Sequence, residues 1–105
     1  MNDRETQSRS DRPRVLVVED DKSISLGLRI NLEKEGYEVL IAEDGERGLE
    51  LGRSAQPDLV VLDVMLPKMN GLEVLDTLRR EGIDMPIVIL SARSAEMDKV
   101  TGLEL

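Results

Sequence analysis

Four side chains stand where apolar runs end, and they carry the chemistry this sequence allows. Leu59-Val60-Val61-Leu62 runs directly into Asp63, Arg14-Val15-Leu16-Val17-Val18 into Glu19-Asp20-Asp21, and Pro86-Ile87-Val88-Ile89-Leu90 into Ser91-Ala92-Arg93. A short, continuous apolar run suits a strand buried on both faces, as in a parallel sheet. The carboxyl ends of such strands form the ligand crevice of an open parallel sheet, so Glu19, Asp20, Asp63 and Ser91 are candidates for one site. Crowded carboxylates repel and raise one another's pKa unless a cation neutralises them. An all-oxygen set suits a hard cation, Mg²⁺ before transition metals. Each acid also has a plain structural reading. Asp63 would be the polar residue that ends a strand, and Glu19, Asp20 and Asp21 would be solvated loop acids or helix caps. Their recurrence at several ends of one sheet favours the site.

The composition narrows the chemistry. The chain has 105 residues with no cysteine and no histidine, which excludes disulfides, thiol catalysis, Cys/His zinc sites and acid–base work by a histidine of this chain. Lys and Arg number 14 against 22 Asp and Glu, a net charge of −8. That balance speaks against direct nucleic-acid binding by this segment, because phosphate binding needs clustered cations. The turn after the first apolar run, Glu19-Asp20-Asp21-Lys22-Ser23, has no glycine and three acids. A nucleotide-binding turn would be glycine-rich, and this one repels a bare pyrophosphate. No long apolar run suggests a membrane span, and a cytoplasmic location is expected. Residues 1–12, MNDRETQSRSDR, lack a signal-like apolar segment and read as a disordered polar tail.

The positioning elements follow from periodicity. Strands are expected at 14–18, 37–42, 59–63 and 86–90, and helices at 22–35, 45–55, 71–81 and 94–105. In the first helix Ile24, Leu28 and Leu32 share a face, while Leu26 and Ile30 point elsewhere. Asp21 or Ser23 is its expected N-cap and Gly36 its stop. The second carries Leu49 and Leu51 and is weakened by Gly48 and Gly52. The third places Leu72, Leu75 and Leu78 at helical spacing and ends at Gly82. Ser94 would cap the last, with Met97, Val100 and Leu103 along one side. Pro67 and Asn70-Gly71 mark the turn after Asp63. Strands alternating with helices in this way imply an α/β, doubly wound parallel sheet in a single domain over 13–105.

Val17-Val18-Glu19-Asp20-Asp21, the stretch LDVMLPKMNG around Asp63, and Ile89-Leu90-Ser91-Ala92 together resemble the receiver domain of bacterial two-component response regulators. The three motifs stand in that family's order, with 43 residues from Asp20 to Asp63 and 28 from Asp63 to Ser91. The resemblance implies a flavodoxin-like sheet in which Asp63 accepts a phosphoryl group from a histidine kinase. It implies that Glu19, Asp20 and Asp63 hold Mg²⁺ with the backbone carbonyl of Met65, and that the Ser91 hydroxyl meets a phosphoryl oxygen. Enzymatic activity would be limited to self-phosphorylation and self-dephosphorylation. The alternative is a receiver-like interaction module that works without phosphorylation; the presence of all four site residues weighs against it. A phosphohydrolase with an aspartyl intermediate ranks last, because Met65 stands where such enzymes place a second Asp.

The family's pattern has five strands and five helices, with a lysine and an aromatic residue on the fifth strand. Four β-α units are legible here, and Lys22, Lys34, Lys68 and Lys99 all fall within them. The receiver domain is therefore expected to be C-terminally incomplete. Self-association is expected through the open edge of the fourth strand or through the fourth helix. Lys68 and Arg93 read as solvated surface charges, with contact to a partner's acids as the alternative.

Overall fold

A computed structural model describes residues 11–66 and 68–90. Strands β1 (Arg14–Val18), β2 (Glu38–Ala42), β3 (Leu59–Asp63) and β4 (Ile87–Leu90) alternate with helices α1 (Lys22–Lys34), α2 (Gly45–Ser54) and α3 (Gly71–Arg80). All pairings are parallel, in the order β2-β1-β3-β4. The expected elements are present with ends shifted by a residue or so. The expected helix over 94–105, the tail through residue 10, Pro67 and Ser91 lie outside the described residues. No helix among the described residues is long and apolar enough to cross a membrane.

The strand order places β1 and β3 side by side in the middle, with Val18 opposite Leu62. From there the chain winds outward both ways, to β2 and to β4. That reversal opens the crevice at the carboxyl ends of β1 and β3. Alternation along each strand supplies a core on both faces. Leu16, Val18, Val60 and Leu62 pack with Leu49 of α2 and with Val74 and Leu78 of α3. Val15, Val17, Val39 and Val61 form the other core, against Leu28 and Leu32 of α1. Eight of these central side chains are essentially free of solvent, which holds the two inner strands rigidly where the site is built.

Two helical faces differ from the spacing-based expectation. Leu28 and Leu32 do pack inward, but Ile24 is exposed, as are Leu26 and Ile30. In α3 the buried face is Gly71, Val74 and Leu78, whereas Leu72 is 52% exposed. The cause is Gly71, whose missing side chain lets the helix start against the backbone carbonyl of Asp63. That anchor rotates Val74 rather than Leu72 toward the sheet.

The glycines of α2 likewise have a packing role beyond weakening the helix. A Cβ on Gly45 would strike the Met69 carbonyl, one on Gly48 would come within 2.7 Å of Val18 Cγ1, and one on Gly52 within 3.2 Å of Leu78. These glycines let α2 ride close on β1, α3 and the turn after β3. Gly36 and Gly82 adopt φ of +96° and +81° just beyond the ends of α1 and α3, a left-handed stop that side chains resist.

Two arginines finish the frame. Arg14 opens β1: its N–H donates to Asp58 Oδ2 at 2.7 Å, its Nε to Glu38 at 3.2 Å, and its Nη1 to the Ala55 carbonyl. It thereby joins the starts of β2 and β3 and the end of α2 at the pole opposite the crevice. Arg29 of α1 donates to the Val39 carbonyl of β2 at 3.4 Å. The Glu38 N–H and the Ala42 carbonyl face β1, so the alternation turns the Val39 carbonyl outward along the sheet edge. Arg29 covers it there.

Gly27 of α1 has nothing within 4 Å of a built Cβ, and it provides a control for the α2 glycines. Gly45→Ala is expected to lower stability by about 1–3 kcal/mol through overpacking. Gly27→Ala should raise it by about 0.5–1 kcal/mol through helix propensity. The check is the urea midpoint at unchanged slope. Shifts of the same sign in both variants would mean that close approach does not govern α2.

Candidate functional site

The end of β1 is fixed first. Glu19 N–H donates to the Ala42 carbonyl at 2.9 Å, which extends the β1–β2 ladder by one residue and holds Glu19 at the rim. Its carboxylate accepts the Asp21 N–H at 3.0 Å. Asp21 in turn is the N-cap of α1, its Oδ1 accepting Ser23 N–H at 2.8 Å and Ile24 N–H at 3.2 Å. The cap therefore falls to Asp21, not Ser23, and this leaves Glu19 and Asp20 for the crevice.

The end of β3 is fixed from both sides. Asp63 pairs in register with Leu90 of β4, and Val64 N–H donates to the Leu90 carbonyl at 3.0 Å. Asp63 Oδ1 accepts Met65 N–H at 3.2 Å. The Val64 carbonyl receives Gly71 N–H at 2.9 Å, which folds the turn back onto α3. Asn70 caps that helix through Leu72 N–H at 2.7 Å.

Glu19, Asp20 and Asp63 come together as expected: one carboxylate oxygen of each lies within 4.8 Å of the others. Glu19 and Asp63 expose only 4% and 6% of their surface, while Asp20 is exposed. Burial pushes the Glu19 carboxyl up to about 7; the Asp21 N–H opposes that rise, and the charge of Asp63, a hydrogen bond with it, and the charge of Asp20 add to it. Asp63 is also raised, by burial first. Met65 N–H and the Glu19 hydrogen bond pull it back, Asp20 raises it and Val64 N–H lowers it. Both carboxyls thus resist ionisation more than free acids do, and the hydrogen bond between them raises Glu19 while lowering Asp63.

An all-oxygen pocket open on the Asp20 side fits a hard divalent cation that keeps part of its water shell. Its donors are carboxylates without nitrogen or sulfur, and two of them already carry a desolvation cost that a cation would offset. Met65 lies in the turn directly after Asp63 and its side chain is 60% exposed. Ser91 follows Leu90, the residue registered with Asp63.

Spacing alone did not reveal one feature of the rim. Lys68 Nζ lies 3.6 Å from Asp44 Oδ2, and Asp44 also caps α2 through Arg47 N–H at 2.8 Å. The partner of Asp44 becomes visible only once α2 lies beside the turn after β3.

The sequence matches the response regulator receiver domain family over residues 15–105. It is 50% identical over 92 residues to the alkaline phosphatase synthesis transcriptional regulatory protein PhoP of Bacillus subtilis, covering 88% of this chain and 38% of that protein. Among solved structures, the Francisella response regulator 1452 receiver domain is similar with a TM-score of 0.76 and 35% identity, over 89% of this chain and 77% of that one. The response regulator TrrA of Thermotoga maritima, solved in complex with Mg²⁺-BeF, gives a TM-score of 0.72 and 35% identity over 86% and 80% of the two chains. The chain belongs to the response regulator receiver domain family. It spans about two fifths of the length of the curated relatives it matches.

The raised carboxyls fix a pH dependence. The folded state binds protons on Glu19 and Asp63 more tightly than the unfolded chain does. This stability is fully present below the ordinary carboxylate range and is lost as pH rises through about 7 for Glu19. In metal-free buffer the thermal midpoint should therefore fall as pH rises from the ordinary carboxylate range toward 7. Glu19→Gln should flatten that fall, and a slope unchanged by the substitution would remove Glu19 as its source.

Proposed function

We propose that this chain is the phosphoacceptor receiver of a two-component phosphorelay, with Asp63 as the residue phosphorylated by a histidine kinase. The observation that carries the reading is the convergence of Glu19, Asp20 and Asp63 at the ends of two adjacent central strands. The family membership and the Mg²⁺-BeF complex of TrrA support it. Glu19, Asp20 and Asp63, with the Met65 carbonyl, would hold Mg²⁺, which when bound supplies positive charge for the oxygens of a phosphoryl group.

The chain's own residues do the rest. Asp63 is the nucleophile: one of its carboxylate oxygens forms the bond to phosphorus as the phosphorus–nitrogen bond of the donor phosphohistidine breaks, and the departing imidazole takes up a proton. Met65 N–H holds Oδ1 and so sets the plane of the carboxylate. Burial strips water from that carboxylate, and the rim acids repel a phosphate that arrives without its cation. The Ser91 hydroxyl donates to a phosphoryl oxygen once the mixed anhydride has formed. No histidine is needed in this chain, because the donor brings it. The phosphorylated form switches an output, in keeping with the transcriptional regulators to which the chain is similar.

Incubation with acetyl phosphate and Mg²⁺, read by intact mass, is expected to add one phosphoryl group to the chain and none to Asp63→Asn. Omission of Mg²⁺, or Asp20→Asn in its presence, should slow the gain by at least about tenfold, the scale of a lost electrostatic stabiliser. A chain that gains no mass would leave a phosphorylation-independent interaction module as the better reading.

A further inference from the structure

We propose that Lys68 is a positioning residue for Asp63, acting through an ionic latch to Asp44 that holds the turn after β3 against the start of α2. The inference rests on the phosphoacceptor reading. Lys68 sits at φ +72°, a left-handed conformation that side chains disfavour. Lysine has no short polar group to satisfy that backbone locally, so something else must hold it there. Its ammonium reaches Asp44 Oδ2 at 3.6 Å, and the next residue, Met69, puts its carbonyl against Gly45 where any Cβ would collide.

Asp44 is well placed for this because it performs two tasks with two oxygens. Oδ1 accepts Arg47 N–H and caps α2, while Oδ2 faces Lys68. Its carboxyl is held below the usual range, by the Arg47 N–H first and by Lys68 after the smaller opposing effect of burial. Asp44 is the less exposed partner, its side chain 21% exposed against 59% for Lys68.

The contact matters to the site because of what lies on either side of it. Toward the sheet, the same turn carries Met65, whose N–H binds Asp63 Oδ1, and it closes on Gly71 beneath the Asp63 carbonyl. Toward α2, Gly48 rests on Val18, the residue before Glu19. The latch therefore joins the two strand ends that bear the carboxylates by a second route, outside the sheet.

The test is a double-mutant cycle in the full chain. Lys68→Gln removes the charge and keeps a polar side chain, and Asp44→Asn keeps a capping oxygen without charge. Each single substitution is expected to slow phosphoryl uptake from acetyl phosphate about two- to fivefold, the range of an exposed ion pair. The double variant should be no slower than either single one, and Lys68→Arg should restore the rate. Amide exchange at Met65 and Gly71 should quicken in both single variants. Additive losses in the double variant, or unchanged rates in the single ones, would overturn the latch. A wild-type chain that takes up no phosphate fails the phosphoacceptor reading instead. The latch is then decided by exchange alone: faster exchange in both single variants supports it, and unchanged exchange overturns it.

Discussion

Two buried carboxylates side by side are the constraint to which the rest of this fold answers. Glu19 and Asp63 lose most of their water and face one another at the ends of neighbouring strands, an arrangement no isolated pair of acids would choose. It persists because β1 and β3 are gripped by fully buried aliphatic side chains on both faces, so that the strand ends have nowhere to retreat. Backbone donors temper the cost: Asp21 N–H for one acid, Met65 and Val64 N–H for the other. The remaining deficit of positive charge is one that a divalent cation would offset.

Most of this frame was legible in the residue order. The β-branched runs that became β1 and β3 cannot hide in any other element of a chain this short. The acids that end them could be paired because a βαβ alternation leaves few topologies. The second strand lies at one edge of the described sheet, so its end stays clear of the crevice. The details that escaped were those set by contact between elements. Leu72 and Val74 are equally apolar on paper, and only the seating of Gly71 under Asp63 decides which one is buried. Gly48 reads as a flaw in a helix until Val18 is found against it.

The same reasoning explains why the site was more legible than its support. A carboxylate at a strand end announces itself by residue type, and its neighbours follow from strand order. Lys68 and Asp44 are ordinary turn charges in sequence, 24 positions apart, and nothing in their spacing marks them as partners. Family membership says which acids to look at first; geometry says what holds them.

Arg29 against the outer carbonyl of β2 has a consequence for assembly. Sheets that grow without limit need two sticky margins on each subunit, one to add to and one to be added to. In this fold the β2 margin is occupied by a guanidinium and flanked by Lys22 and Glu43. A strand adding beside β2 would have to displace Arg29 to reach the Val39 carbonyl. A single well-placed arginine thus makes the outer margin of β2 a poorer template for an incoming strand.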